Sequence, residues 1–176
     1  LTEIASHLLL AGGKRLRPMF SVVASQVAGA PTTEDAVQGG ISCELVHLGS
    51  LYHDDVMDEA AQRRGVDATQ TVWGNSVAIL AGDLLFARAG SLVASQGQQA
   101  ITLQAATFER LCLGQMRETV GPKEGQDPIE HYLSVLSDKT GSLIALSAEM
   151  GIRMSGGSED LVPPLRRFGE KVGIAF

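Results

Sequence analysis

At 176 residues the chain has room for one domain with a sizeable core. Hydrophobic residues make up 44% and charged residues 19%, which excludes a disordered chain, and a formal net charge of −6 argues against nonspecific nucleic-acid binding. No stretch offers the roughly 20 uninterrupted apolar residues of a membrane span. Residues 1–12 lack the charged start, apolar middle and small-residue cleavage site of a signal peptide, so the expected compartment is the cytoplasm.

Along the chain nearly every segment reads as helix. Helices are expected near residues 1–11, 16–29, 33–58, 75–96, 98–119, 128–138, 140–155 and 158–175. The pattern is plainest over 33–58, where Val37, Ile41, Leu45, Leu48 and Leu51 recur at three- and four-residue intervals, with Thr32 or Thr33 as a cap ahead of Glu34 and Asp35. Sustained period-two alternation is missing, so no strands are expected and the fold class is all-α. Gly and Pro punctuate the boundaries, leaving the longest loops at about 59–74 and 120–127. Cys43 and Cys112 lie inside apolar helical patterns without metal-ligand spacing and are expected as reduced core residues. Of the glycines inside helical patterns, Gly39, Gly40, Gly82 and Gly90 are assigned to close helix packing, and Gly49 is held apart.

Three clusters carry chemistry. Gly12-Gly13-Lys14-Arg15-Leu16-Arg17-Pro18 sets three cations after a flexible double glycine, a turn that can wrap a phosphate. It is not a P-loop, whose glycine spacing and Ser or Thr after the Lys are absent. Further on, His53-Asp54-Asp55-Val56-Met57-Asp58-Glu59 places Asp54 and Asp58 one turn apart on the same helix face. Two carboxylates so placed repel unless a cation lies between them, and oxygen ligands of this kind suit Mg²⁺ together with phosphate oxygens and water. The same residues add negative charge at a helix end where the macrodipole favours positive charge. His47 projects from nearly the same face two turns earlier, and Arg63-Arg64-Gly65 follows the acidic cluster. Each has an ordinary reading: a satisfied core histidine for His47, a basic surface turn for 12–18, a solvated loop for the arginines, a helix start for Lys139-Thr140-Gly141. A penicillin-binding protein also uses Lys-Thr-Gly, but its Ser-x-x-Lys and Ser-Asp-Asn partners are missing here.

Taken together, GGKRLRP (12–18), ELVHLGSLYHDDVMDEAAQRRG (44–65), WGNSVAILAGDLLFARA (73–89), GQMRE (114–118) and KTGSLIALSAEMG (139–151) resemble the trans-isoprenyl (polyprenyl) diphosphate synthase family, bacterial long-chain type. The resemblance runs through the whole chain. It implies a helical bundle around a central cavity and a Mg²⁺-dependent prenyltransferase that joins an allylic diphosphate to isopentenyl diphosphate. Carried over by motif, Lys14, Arg17, His47 and Arg64 are the isopentenyl diphosphate pocket. Asp54 and Asp58 are the metal ligands and, with Lys139, the catalytic set. Arg63, Lys139 and Thr140 hold the allylic diphosphate, and Gln115 and Glu118 stand behind the metals. A homodimer is implied as well. Family members carry a second aspartate-rich motif, whereas Asp54-Asp55 is the only Asp-Asp pair here. The expectation is therefore a single domain over 1–176 that lacks the C-terminal helices and is inactive alone.

Product length is read from Gly49 and Ser50, five and four residues before Asp54 and about 6 to 7.5 Å along the helix. Short-product members often place an aromatic there; small residues leave the tunnel open and favour a long product, although Tyr52 or a neighbouring helix could still close it. Geranylgeranyl or farnesyl diphosphate synthesis, and a non-catalytic partner subunit, remain as alternatives. A terpene cyclase shares the fold but needs no second diphosphate pocket, which GGKRLRP and His47 argue against.

Overall fold

Helix dominates, as the periodicities predict. In the computed structural model, which describes Leu1–Phe176, the elements are α1 (Thr2–Leu10), α2 (Leu16–Val27), α3 (Glu34–Met57), β1 (Gln62–Arg63), β2 (Val66–Asp67), α4 (Thr69–Trp73), α5 (Asn75–Ala94), α6 (Gln98–Val120) and α7 (Pro128–Leu136). A π-helix over Ser137–Gly141 then runs directly into α8 (Ser142–Met154), and a 3₁₀ turn, Glu159–Leu161, precedes α9 (Val162–Ala175).

Two helices form the interior. At 24 residues α3 begins as expected: the Thr33 hydroxyl accepts the Ala36 amide at 3.1 Å, and Glu34 and Asp35 occupy the first turn. Every residue of α8 from Ser142 to Ile152 is buried, which marks a helix surrounded on all sides. Its one buried charge, Glu149, accepts from Arg153 at 2.8 Å and Arg166 at 3.0 Å, and the second bond ties α8 to α9. Cys43, Val46, Val93, Leu111, Leu143 and Met150 pack where α3, α5, α6 and α8 meet. Leu143 is 1% exposed, so Leu143→Ala removes about 2–5 kcal/mol through lost burial and the cavity left behind.

Several expectations change. Cys112 is exposed on α6, outside the core expected for it, while Cys43 is buried and its thiol is pushed up to about 11 by desolvation. The expected loop 59–74 contains a hairpin and α4. The hairpin forms because Arg64 (φ 55°) and Gly65 (φ 78°) make a two-residue turn with both φ positive, the geometry whose twist suits antiparallel strands, pairing Arg63 with Val66. Tyr52 points away from the cavity: its hydroxyl donates to Ile4 O at 2.7 Å and accepts the Leu8 amide at 3.3 Å, fastening α1 to α3. Gly90 has open space around it, whereas Gly49 is a close-packing position. A Cβ at Gly49 would lie 2.7 Å from the Phe86 ring and 3.0 Å from Gly82 O, so α5 supplies the aromatic at this level of the bundle. By length and composition α5 is long and apolar enough to cross a membrane, but its apolar run is interrupted by Asp83 and Arg88 and it packs along α3.

Candidate active site

Two cavities adjoin at one end of the bundle and share a wall made of Leu16, Arg17, His47 and Phe176. The smaller, about 210 Å³, is lined by Lys14, Arg15, Arg17, Glu44, His47 and Arg64. The larger, about 330 Å³, holds Asp54, Asp58, Arg63, Lys139, Thr140 and Ser50.

The cationic cavity is assembled from four separated pieces of chain: residues 13–17, α3, the hairpin turn and Phe176. Arg15 sits at φ 50° just before α2, a left-handed conformation that a non-Gly residue rarely adopts. The preceding Gly13 has φ 129°, and a Cβ there would fall 2.6 Å from an Arg15 guanidinium nitrogen and 2.9 Å from one of Arg64. Glycine is thus what lets the two guanidinium groups converge. From the hairpin turn, Arg64 reaches back to donate to Leu8 O at 2.8 Å and to Gly12 O. A single carboxylate faces these cations: Glu44, 6% exposed, lies 3.3 Å from Arg15 and 3.8 Å from Arg17. The buried Arg17 Nε has no partner. Lys14 is exposed, with Nζ 4.6 Å from the Phe176 ring. Four cations against one carboxylate leave a positive excess, and an unpartnered buried donor favours an anion with several oxygens.

His47 stands in the shared wall as a neutral imidazole. Burial, then the charges of Arg17, Arg64, Arg63 and Arg15, push its pKa down to about 2. Near neutral pH it carries no charge of its own.

In the larger cavity Asp54 and Asp58 line one side, as their one-turn spacing requires. Burial holds the Asp54 carboxyl above its ordinary value; Lys139 draws it back and Asp58 pushes it further up. Lys139 Nζ is 3.8 Å from Asp54 and donates to Glu118 at 2.6 Å, so Glu118 touches the cavity through that ammonium. Gln115 does not line the cavity, and its buried Oε1 has no partner. Among the His, Cys, Asp and Glu side chains, no group of three converges as a metal site. The pair Asp54 and Asp58 fits Mg²⁺ all the same, because that ion is held by one or two carboxylates with the remaining places left to phosphate oxygens and water.

Asp55 faces the other way. Fully buried, it accepts from Arg63 Nε at 2.7 Å and forms an ion pair with Arg63 Nη2 at 2.5 Å, and this holds Arg63 at the cavity edge. Sequence reasoning assigned Asp55 and Glu44 no role. The signal available was phase alone: Asp55 sits about 100° around α3 from Asp54, and Glu44, one turn before His47, sits about 60° from it.

The helix order thus sets a cationic pocket beside a pair of carboxylates at one end of an all-helical bundle. The chain belongs to the polyprenyl synthetase family, whose model matches residues 1–176. It is 49% identical over its whole length to nonaprenyl diphosphate synthase of Mycobacterium tuberculosis, covering 52% of that protein. Among solved structures, 98% of the chain superposes on 53% of a decaprenyl diphosphate synthase from Rhodobacter capsulatus, with TM-score 0.91 and 33% identity. A geranylgeranyl pyrophosphate synthase from Corynebacterium glutamicum, complexed with calcium and isoprenyl diphosphate, matches 97% of the chain over 52% of its own length, with TM-score 0.85 and 45% identity. The chain spans about half the length of these relatives.

Proposed function

We propose that the full-length protein condenses an allylic polyprenyl diphosphate with isopentenyl diphosphate to give a longer all-trans polyprenyl diphosphate. The observation that carries this reading is the pair of adjoining cavities. One is purely anion-seeking, the other joins two carboxylates to Lys139, Arg63 and Thr140, and only Arg17, His47 and their neighbours separate them.

Asp54 and Asp58 would hold Mg²⁺, which supplies positive charge to the departing diphosphate. Lys139, Arg63 and Thr140 orient the allylic diphosphate and stabilise the charge it gains as the allylic C–O bond breaks. Across the wall, Lys14, Arg17 and Arg64 hold isopentenyl diphosphate so that its double bond attacks the resulting allylic cation. A C–C bond forms, and a proton then leaves to the released diphosphate. Neutral His47 positions an oxygen without adding charge. The hydrocarbon tail runs past Ser50, and long products are favoured by that small side chain and by the nonaprenyl and decaprenyl synthases among the relatives. The geranylgeranyl synthase relative keeps a shorter product as the second reading.

The outward face of α5 and α6, where Ile79, Leu80, Leu84 and Ile101 are exposed, suits a second copy of the chain. With α5 occupied by α3 and that partner, the cytoplasm is the compartment we assign.

Incubating full-length protein with Mg²⁺, geranylgeranyl diphosphate and labelled isopentenyl diphosphate should yield chain-extended products by chromatography. Absence of any extended product would contradict the proposal.

A further inference from the structure

The run from Pro128 to Met154 is one continuous helical rod interrupted by a π-turn at Ser137–Gly141. Such turns are rare, and the extra residue shifts every side chain beyond it around the helix. This one carries Lys139 and Thr140, both of which face the larger cavity. The side chains that hold the turn in place stand on the opposite side and have no part in the chemistry described so far.

Arg110, on α6, donates through Nε to Asp138 at 2.6 Å. Its Nη2 donates to the Ser137 hydroxyl at 2.7 Å and also to Glu170 of α9. The Ser137 hydroxyl donates in turn to Glu170 at 2.6 Å, and the second Asp138 oxygen accepts from Arg117. One planar guanidinium therefore joins α6, the π-turn and α9, a task suited to a rigid fork of donors. The backbone approaches agree. A Cβ at Gly114 would fall 2.9 Å from Lys139 N, and one at Gly173 would fall 2.5 Å from Gly141 Cα. α6 and α9 thus press on the turn from two sides.

We infer that Arg110 is a positioning residue: acting through Asp138 and Glu170, it fixes the π-turn in the register that points Lys139 and Thr140 at the allylic diphosphate. This rests on the proposed role of those two residues. An exposed ion pair contributes little to stability, but Asp138 is only 13% exposed and is gripped from both sides, so breaking the fork frees the turn to relax towards ordinary helix. The expected consequence is selective, because Lys14, Arg17 and Arg64 hang from other elements.

The test uses full-length protein, with Arg110→Lys, which keeps the charge and loses the fork, and Asp138→Asn, which keeps the shape. Calorimetry with an unreactive allylic thiodiphosphate plus Mg²⁺ should show Kd rising roughly tenfold in Arg110→Lys, as expected for a misplaced binding group, while Kd for isopentenyl diphosphate changes by less than about twofold. Added to the double variant Lys139→Ala, Thr140→Ala, the same substitution should cause no further loss in analogue affinity, because Arg110 acts only through those two contacts. Amide hydrogen exchange at residues 137–141 should speed up about tenfold in either variant. An unchanged analogue Kd, a parallel loss for both ligands, or unchanged exchange across the turn would each overturn the inference. Wild-type protein that binds both ligands but forms no product would contradict the proposed condensation and leave the clamp to be decided by Kd and exchange.

Discussion

The two cavities solve opposite electrostatic problems with parts from the same helix. In the smaller one, α3 supplies Glu44 to a cluster that already has too much positive charge, and in the proposed reaction an incoming diphosphate would neutralise the surplus. In the larger one, α3 and the residue that caps its C-terminus supply Asp54 and Asp58, and Lys139 is split between Asp54 and Glu118. By charge alone, the first cavity would be satisfied by an anion, and the second by a hard cation and an anion together. A two-turn walk along one helix face, from His47 to Asp54, separates the two demands, about 10 Å in rise.

The largest effect is expected where the second demand is removed. Asp54→Ala in the full-length protein should lower turnover by at least ~10³-fold, comparable to losing a principal electrostatic stabiliser, with unchanged helical circular dichroism. Near-normal turnover would break the comparison outright. Arg17→Ala attacks the other side: the KM for isopentenyl diphosphate should rise about ten- to a hundredfold, the range for a lost charge-assisted hydrogen bond. The allylic KM should move by less than about threefold, and an effect confined to the allylic substrate would show that the two pockets have been exchanged.

Smaller effects sharpen the picture. Ser50 lines the larger cavity, so Ser50→Phe places a ring about one turn below Asp54. Products should shorten while the first condensation stays within about threefold of wild type, since a pocket wall that only limits length has no part in the initial step. An unchanged product distribution with retained activity would remove Ser50 from the tunnel. His47 offers the gentlest probe. Its folded pKa, about 2, lies below that of the unfolded chain, so the unfolded state binds the extra proton and stability falls as pH drops below about 6.5. Between pH 7.5 and pH 5 the variant His47→Gln should gain on wild type by up to about 2 kcal/mol in denaturant titrations. A pH-independent difference would mean that His47 charges in the folded state.

Much of this was legible in one dimension. Asp54 and Asp58, Lys14 and Arg17 are close in sequence, and helical phase or a glycine turn is enough to bring each pair together. Less accessible were features set by partners distant in the chain. Gly49 reads as open space on α3, yet the Phe86 ring of α5 fills it. Cys112 fits an apolar pattern, yet lies on the outside of α6, because periodicity shows that a face exists without saying what covers it. The Arg64-Gly65 hairpin was hidden because its strands are only two residues each and carry no alternation. The π-turn left no trace in composition, since it depends on Arg110 and Glu170, 28 residues before and 32 residues after Asp138.

In the proposed reaction one cavity binds diphosphate by fixed protein charge and the other only with a divalent cation. Isothermal titration of the full-length protein, with and without Mg²⁺ in chelated buffer, tests it directly. Isopentenyl diphosphate should bind with a Kd that changes by less than about threefold when Mg²⁺ is withdrawn, whereas an unreactive allylic thiodiphosphate should lose at least ~100-fold, the scale of losing one doubly charged partner of a phosphate group. Equal dependence of both ligands on Mg²⁺, or of neither, would contradict the division of labour between the two cavities.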